Sequence, residues 1–220
     1  MALTPAQSRF RERYRAQISP RYNPFRHLLW VFGTGLLLMG FISATLESVR
    51  LLELLVVPLT LIVTNFGEYA THRWLGHDHR RRGSMFYTRH FVEHHGFYSH
   101  KSMAIEQGRD LRLVLFPIWL IFAMSLGVIA PLSALLAWLW STNAAALFAI
   151  TALASYLLYE FMHLCFHLPA DNRLTTLPGV AFMRLRHTVH HDPAHMGDCN
   201  FNLTWPMCDW ALDTTAREIP

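Results

Sequence analysis

Apolar and polar residues fall in long blocks along this chain. Leu28–Leu46 carries no charge, and Leu51 to about Ala70 carries one early acid, Glu53, and Glu68 close to its end. Leu113–Tyr159 has no charged side chain at all. A helix needs about 20 apolar residues to cross ~30 Å of hydrocarbon, so the first two blocks predict one transmembrane helix each. As one helix the third block would run ~70 Å at about 1.5 Å per residue. Three crossings would need about 60 residues, so this block predicts two spans. The break is expected near Pro131 or the Ser141-Thr142-Asn143 cluster, both natural helix punctuation.

Four crossings place Met1–His27, His72–Arg112 and His163–Pro220 on one side of the bilayer. Of the 19 Lys and Arg residues, all but Arg50 lie in or beside these segments. Cytoplasmic segments carry the Lys/Arg excess, so both termini are expected in the cytoplasm. The layout expected is a basic cytoplasmic N-terminal segment, residues 1–27, followed by one membrane-embedded domain, residues 28–220. The fold class is all-α: an integral membrane protein with four transmembrane helices and a cytoplasmic helical cap. Arg9, Arg11, Arg13, Arg15, Arg21 and Arg26 read as a juxtamembrane strip for anionic headgroups rather than the short charged start of a cleaved signal peptide.

Composition supports this class. Hydrophobic residues make up 52% and charged residues 15%, against about 25% charged in soluble chains. The net charge of +4 rests on arginine, and with these apolar blocks it points to a membrane surface rather than nucleic acid. Cys165, Cys199 and Cys208 form no C-x-x-C pair, which argues against a zinc ribbon, a thiolate cluster or a disulfide framework. Cys165 reads as a small buried hydrophobe.

The chain has 14 histidines, and their spacing carries the candidate chemistry. His72 and His77 are H-x4-H; His90, His94 and His95 are H-x3-H-H. His163 and His167 are H-x3-H; His187, His190 and His191 are H-x2-H-H. His27, His79, His100 and His195 stand outside these groups. Helix neighbours at i, i+3 and i+4 share a face, so His163/His167, His90/His94 and the last group are each expected to present rings to one centre. His72 and His77 lie about 140° apart on an ideal helix, which sends them to different metals or across a helix end. All four groups fall on the cytoplasmic side, beside span ends. Ten imidazoles exceed the ligand number of any one common ion; two ions with about five nitrogens each would use them. Imidazole suits Fe, Zn, Cu and Ni, so the donor set alone does not name the metal.

The sequence resembles the fatty acid hydroxylase / sterol desaturase superfamily over about residues 60–213. FGEYATHRWLGH, HFVEHH, YEFMHLCFH and RHTVHH look like its four histidine boxes in order, and NFNLTWPMCDW (Asn200–Trp210) looks like the stretch after the last box. The second box is one residue longer than in some relatives. Asn202 stands where many members have glycine, and Cys208 where many have tryptophan. The resemblance implies two Fe ions held by the ten histidines, with Zn possible after isolation. It also implies O2 as co-substrate, an external electron donor such as a ferredoxin or a cytochrome, and a helical roof above the hydrocarbon.

The function expected is hydroxylation of a lipid acyl chain. Desaturation or sterol/carotenoid oxidation is the rival within the superfamily, and a membrane metal-binding or transport protein or a haem cytochrome is the rival outside it. Transport needs polar groups through the spans, and Leu113–Tyr159 has neither charge nor histidine. Ligating histidines donate their second N–H to a carboxylate or carbonyl, which nominates Glu68 and Glu160, with Glu93 and Asp192 adjoining ligands. Trp74, Phe86, Tyr87, Phe97 and Tyr98 are expected at a substrate entrance or an interfacial belt. Arg80-Arg81-Arg82, Arg89 and Lys101 are expected as positive-inside charge or as a dock for an acidic electron donor.

Overall fold

A computed structural model describes residues 3–216; residues 1–2 and 217–220, at the ends of the two expected ranges, lie outside the described residues. The described residues form helices and connecting turns, with one isolated bridge, Ser99–Ser102, and no strand. The helices are α1 (Pro5–Gln17), α2 (Pro24–Ser43), α3 (Leu51–Gly76), α4 (residues 85–97), α5 (Gly108–Leu139), α6 (Thr142–Phe166), α7 (Pro178–His190) and α8 (Met207–Ala211). Four of these, α2, α3, α5 and α6, are long and apolar enough to cross a membrane.

The uncharged third block does hold two helices. The break falls at the Ser141 cluster: Trp140 leaves helical geometry (φ −134°, ψ −77°), and the Ser141 hydroxyl accepts from the Ala144 N–H at 3.1 Å to start α6. Helix α5 continues through Pro131, which follows a widened π-helical turn at Ser125–Ile129. Four such wide turns occur among the described residues, at Leu29–Gly33, Thr71–Gly76, Thr88–His94 and Ser125–Ile129.

The chain divides into two compact units. One comprises Pro24–Thr64 and Phe116–Tyr159. Its interior holds Val31, Ile121 and Leu157 beside Ile129, Ala149, Ala152 and Leu153. Small residues let the helices approach closely: a Cβ on Gly35 would come within 2.8 Å of the Leu157 methyls. At the start of α3 the buried Glu53 carboxylate accepts from the Ser141 hydroxyl (2.6 Å), the Arg50 N–H (2.7 Å) and Asn143 (3.2 Å), tying residues 50–53 to residues 141–143.

The other unit comprises Met1–Asn23, Asn65–Leu115 and Glu160–Pro220. Helix α1 is set by a capping box, in which Thr4 Oγ1 accepts from Gln7 N–H and Gln7 Oε1 accepts from Thr4 N–H. It packs Tyr14 and Ile18 against Phe97, Tyr98, Leu113 and Val114. Arg11 is 1% exposed. Its guanidinium donates to the carbonyls of Phe97 (2.9 Å) and Ser102 (3.0 Å), and pairs with Glu106. Arg15 grips Asp110 with two bonds, at 2.9 and 2.7 Å. The N-terminal arginines are therefore not one lipid-facing strip: Arg9 and Arg13 are exposed, while Arg11 and Arg15 bolt the helix to residues 97–110.

Replacing Arg11 with Met keeps the apolar stem and strands these acceptors. The expected loss is on the order of 3 kcal/mol, a fall of roughly 6–12 °C in the thermal midpoint of purified protein. An unchanged midpoint in a thermal-unfolding scan would show that the clamp is dispensable.

Candidate metal centre

All ten grouped histidines lie in the second of these units and converge on two adjoining clusters. The donor nitrogens of His72, His77, His90, His95 and His190 lie within 4.8 Å of one another, as do those of His94, His163, His167 and His187. His191 joins the second set, its Nε2 at 3.1 Å from the Nε2 atoms of both His94 and His187. The clusters touch through facing rings: His95 stacks on His191 at 4.2 Å, His90 on His94 at 5.3 Å and His187 on His190 at 5.9 Å. His27, His79, His100 and His195 belong to neither. His27 lies 2.8 Å from the Phe116 carbonyl, His79 bonds the Tyr87 hydroxyl at 2.9 Å and His100 faces Asp192 at 3.7 Å.

The sorting of rings departs from α-helical expectation, and the wide turns explain it. A π-helical turn closes i to i+5, so residues five apart share a face. His72 and His77 span the Thr71–Gly76 turn and enter the same cluster. His90 and His95 span the Thr88–His94 turn and also share the first cluster, which leaves His94 facing the second. The pairing of His90 with His94 on one centre is therefore corrected. In α7 the ordinary i, i+4 pair His187/His191 serves the second cluster, and His190 turns to the first.

Tautomers follow from the outer nitrogens. A carbonyl only accepts, so an imidazole nitrogen facing one must carry the proton. Nδ1–H of His72 donates to Phe201 O (2.5 Å), His190 to Cys199 O (2.9 Å), His167 to Met103 O (2.7 Å), His94 to Leu113 O (3.1 Å) and His191 to Tyr98 O (3.2 Å). Their Nε2 atoms then carry bare lone pairs pointing inward. His94 and His191 aim two such lone pairs at each other across 3.1 Å, an arrangement that repels unless a cation lies between. In the first cluster His90 Nε2 lies 2.7, 3.0 and 3.1 Å from the Nε2 atoms of His72, His77 and His95, more partners than one N–H serves. Nitrogens about 2.1 Å from one ion lie about 3.0 Å apart at right angles and about 3.4 Å apart in a tetrahedron. The closest neighbours, at 2.7–3.2 Å, lie near the first of these separations, and the other pairs of each cluster stay within 4.8 Å. Both clusters are placed to hold metal ions, with imidazole as their sole donor among the described residues.

Electrostatics agree. Burial, reinforced by neighbouring imidazoles, holds His77, His90, His94, His95, His187 and His191 far below the ordinary histidine value, and burial does the same for His167 and His190. These rings are neutral at pH 7, the state a metal requires.

The expected helpers fall differently. Glu68 bonds no imidazole; its carboxylate accepts from the N–H groups of Leu203 and Thr204 and from the Thr204 hydroxyl, steadying the segment that offers Phe201 O to His72. Glu160 is wholly buried one turn before His163. Phe97 and Tyr98 are fully buried, so they form no entrance; Phe97 packs on Tyr14, and Tyr98 packs at a tilt on His167 at 4.3 Å. Tyr87 is buried against Phe91, whereas Trp74 is 47% exposed. Arg80, Arg81, Arg82 and Lys101 are exposed, but Arg89 turns inward onto the carbonyls of Arg112 and Leu115. Histidine spacing did not single out the residues whose carbonyls accept these bonds, Tyr98, Met103, Leu113, Cys199 and Phe201. Phe201 lies in the Asn200–Trp210 stretch, and Tyr98 was expected at a substrate entrance instead.

The profile of the Fatty acid hydroxylase family matches residues 57–214, the span that holds all four histidine groups and the segment after them. The chain belongs to this family. No curated protein and no solved structure gives a significant match. In this fatty acid hydroxylase family member the helices that carry the first two boxes, α3 and α4, are widened by π turns, and those that carry the last two, α6 and α7, are regular.

Metal-free protein should lose stability on acidification. The unfolded histidines titrate near 6.5 and the buried ones far lower, so their contribution is complete above pH ~6.5 and falls by up to ~1.4 kcal/mol per pH unit per ring below it. Thermal scans of chelator-stripped protein from pH 7.5 to 5 should show a steady decline; a flat profile would mean these rings are not buried neutral.

Proposed function

We propose that this chain is a membrane-bound, non-haem di-iron oxygenase that hydroxylates a lipid acyl chain with O2 and external electrons. The observation that carries the reading is the pair of adjoining all-imidazole clusters in a chain of the fatty acid hydroxylase family with four membrane-capable helices. His72, His77, His90, His95 and His190 would hold one iron; His94, His163, His167, His187 and His191 would hold the other. Bound iron supplies the activation of O2 needed to attack an unactivated carbon–hydrogen bond. The balance is one C–H, one O2, two electrons and two protons giving one C–OH and one water.

The chain's own part is orientation and exclusion. Five carbonyls fix ring tautomers, so the inward nitrogens are set before a metal arrives. Depressed ring basicity lets the metal bind without displacing protons. The burial of His94, His167, His187, His190 and His191 keeps bulk water from the second cluster and its border with the first. Four membrane-capable helices and the family together fit a lipid substrate. The Lys/Arg distribution favours clusters and termini facing the cytoplasm. Exposed Arg80, Arg81 and Arg82 would then meet an acidic donor such as a ferredoxin or cytochrome.

Purified protein loaded anaerobically should contain about two irons per chain, and a His163→Ala, His167→Ala double variant about one, since both rings belong to one cluster. Lipid extracts from cells expressing the wild type under 18O2 should contain an 18O-hydroxylated acyl product that the variant lacks. Iron absent from both proteins, or a desaturated product with no oxygen incorporated, would overturn the hydroxylase reading.

A further inference from the structure

The two clusters are steered by different parts of the chain. Rings of the first lean on the carbonyls of Cys199 and Phe201. Rings of the second lean on those of Tyr98, Met103 and Leu113. Residues 199–204 have no helix or strand to stiffen them, so their position depends on side chains. Asp209, fully buried at the second turn position of α8, supplies most of the grip. Its Oδ1 accepts from the Phe201 N–H (2.9 Å) and the Thr214 hydroxyl (2.8 Å); its Oδ2 accepts from the Asn202 N–H (3.0 Å) and Arg186 (3.2 Å). Asn202 adds a bridge: its Nδ2 donates to the Asn65 carbonyl of α3 (3.1 Å), and its Oδ1 accepts from the N–H groups of Cys208 (3.1 Å) and Asp209 (3.3 Å).

The Asn202 backbone is not in the left-handed region, which here holds only Ser48, Asn200 and Asp213 among non-glycine residues described. The side chain is therefore accommodated without strain and gives this chain a cross-tie that glycine lacks. The strap of the second cluster is held separately, by Arg11 and Arg15 on Glu106 and Asp110, with Asp110 also accepting from the N–H groups of Glu106 and Gln107. Among the described residues the two clamps share no member.

We propose that Asp209 and Asn202 are positioning residues for the first cluster, and that the carbonyls orienting the two sets of rings are held by independent scaffolds, so that the two metal sites load and release separately although α4 and α7 carry ligands of both. The inference rests on the reading that each cluster binds one iron. The physical chain is short: the carboxylate fixes the Asn202 N–H, whose peptide plane holds the Phe201 carbonyl, and it fixes Thr214, whose carbonyl accepts from the Asn200 N–H (2.8 Å) in the plane of the Cys199 carbonyl; these carbonyls fix the rings of His72 and His190. Asp209→Asn places an amide NH2 against N–H donors and removes the charge facing Arg186, so the segment shifts and the two rings lose their reference. Changes to groups behind a metal ligand typically cost about 10–100-fold in metal affinity.

The test uses full-length protein loaded with 57Fe(II) without oxygen and dialysed against a weak chelator, with iron content, Mössbauer spectra and thermal midpoints read in parallel. Wild type should retain about two irons. Asp209→Asn and the milder Asn202→Ala should each retain about one, the lost site weakened about 10–100-fold. Asp110→Asn should lose the other iron, leaving a different quadrupole doublet, and the Asp209→Asn, Asp110→Asn double variant should lose both. Loss of both irons or of neither from folded Asn202→Ala, or removal of the same spectral component by Asn202→Ala and Asp110→Asn, would overturn independent scaffolds. Fewer than two irons in the wild type would overturn the parent reading, and that is seen before any variant is compared.

Discussion

Ten neutral imidazoles crowded into one region repel through their lone pairs, and the rest of this structure is arranged to hold them there. The commonest device is the backbone carbonyl. Each of five rings gives its Nδ1–H to a carbonyl, and this leaves Nε2 bare and aimed inward. Facing lone pairs such as those of His94 and His191 at 3.1 Å are unfavourable in an empty site and become favourable only around a cation. The site thus stores its own demand for metal, and the buried networks around Arg11, Asp110 and Asp209 resist its relaxation.

Helix geometry does the sorting. An ideal α-helix cannot point residues five apart in one direction, and the first two boxes need that spacing for His72/His77 and His90/His95. Widening each helix by one π turn changes the alignment from i+4 to i+5. The same change turns His94 to the opposite cluster, so a single short helix, α4, contributes to both centres and ties them together. Where the helix stays regular, in α7, the i+4 pair His187/His191 remains together.

Much of this was legible from residue pattern. Long apolar blocks marked the four long helices, and the Ser141 cluster marked the break between the two in the longest block, since a hydroxyl that caps a helix start is visible as a residue type. Histidine spacing marked all ten rings. It did not give their partition, because π turns have no residue signature in Thr71–Gly76 or Thr88–His94, and a period of 3.6 assigns His90 to the wrong partner. Nor did it find the carbonyls that orient the rings: every residue carries one, and only the folded chain shows which face an imidazole. The acids were not legible in their role: Glu68 was expected to accept from a ligating ring, but its carboxylate reaches Leu203 and Thr204 instead, a contact across 135 positions of sequence. Phe97 and Tyr98 looked like interfacial aromatics and are core, because α1 folds over them.

The central claim is that two ions sit in shells built from imidazole alone. Iron K-edge X-ray absorption of anaerobically loaded protein tests it most directly. The account predicts light-atom neighbours at about 2.1 Å, with strong outer-shell scattering from about five imidazole rings per iron and no sulfur. A sulfur shell from Cys165, Cys199 or Cys208, or an imidazole count of two or fewer per iron, would contradict it.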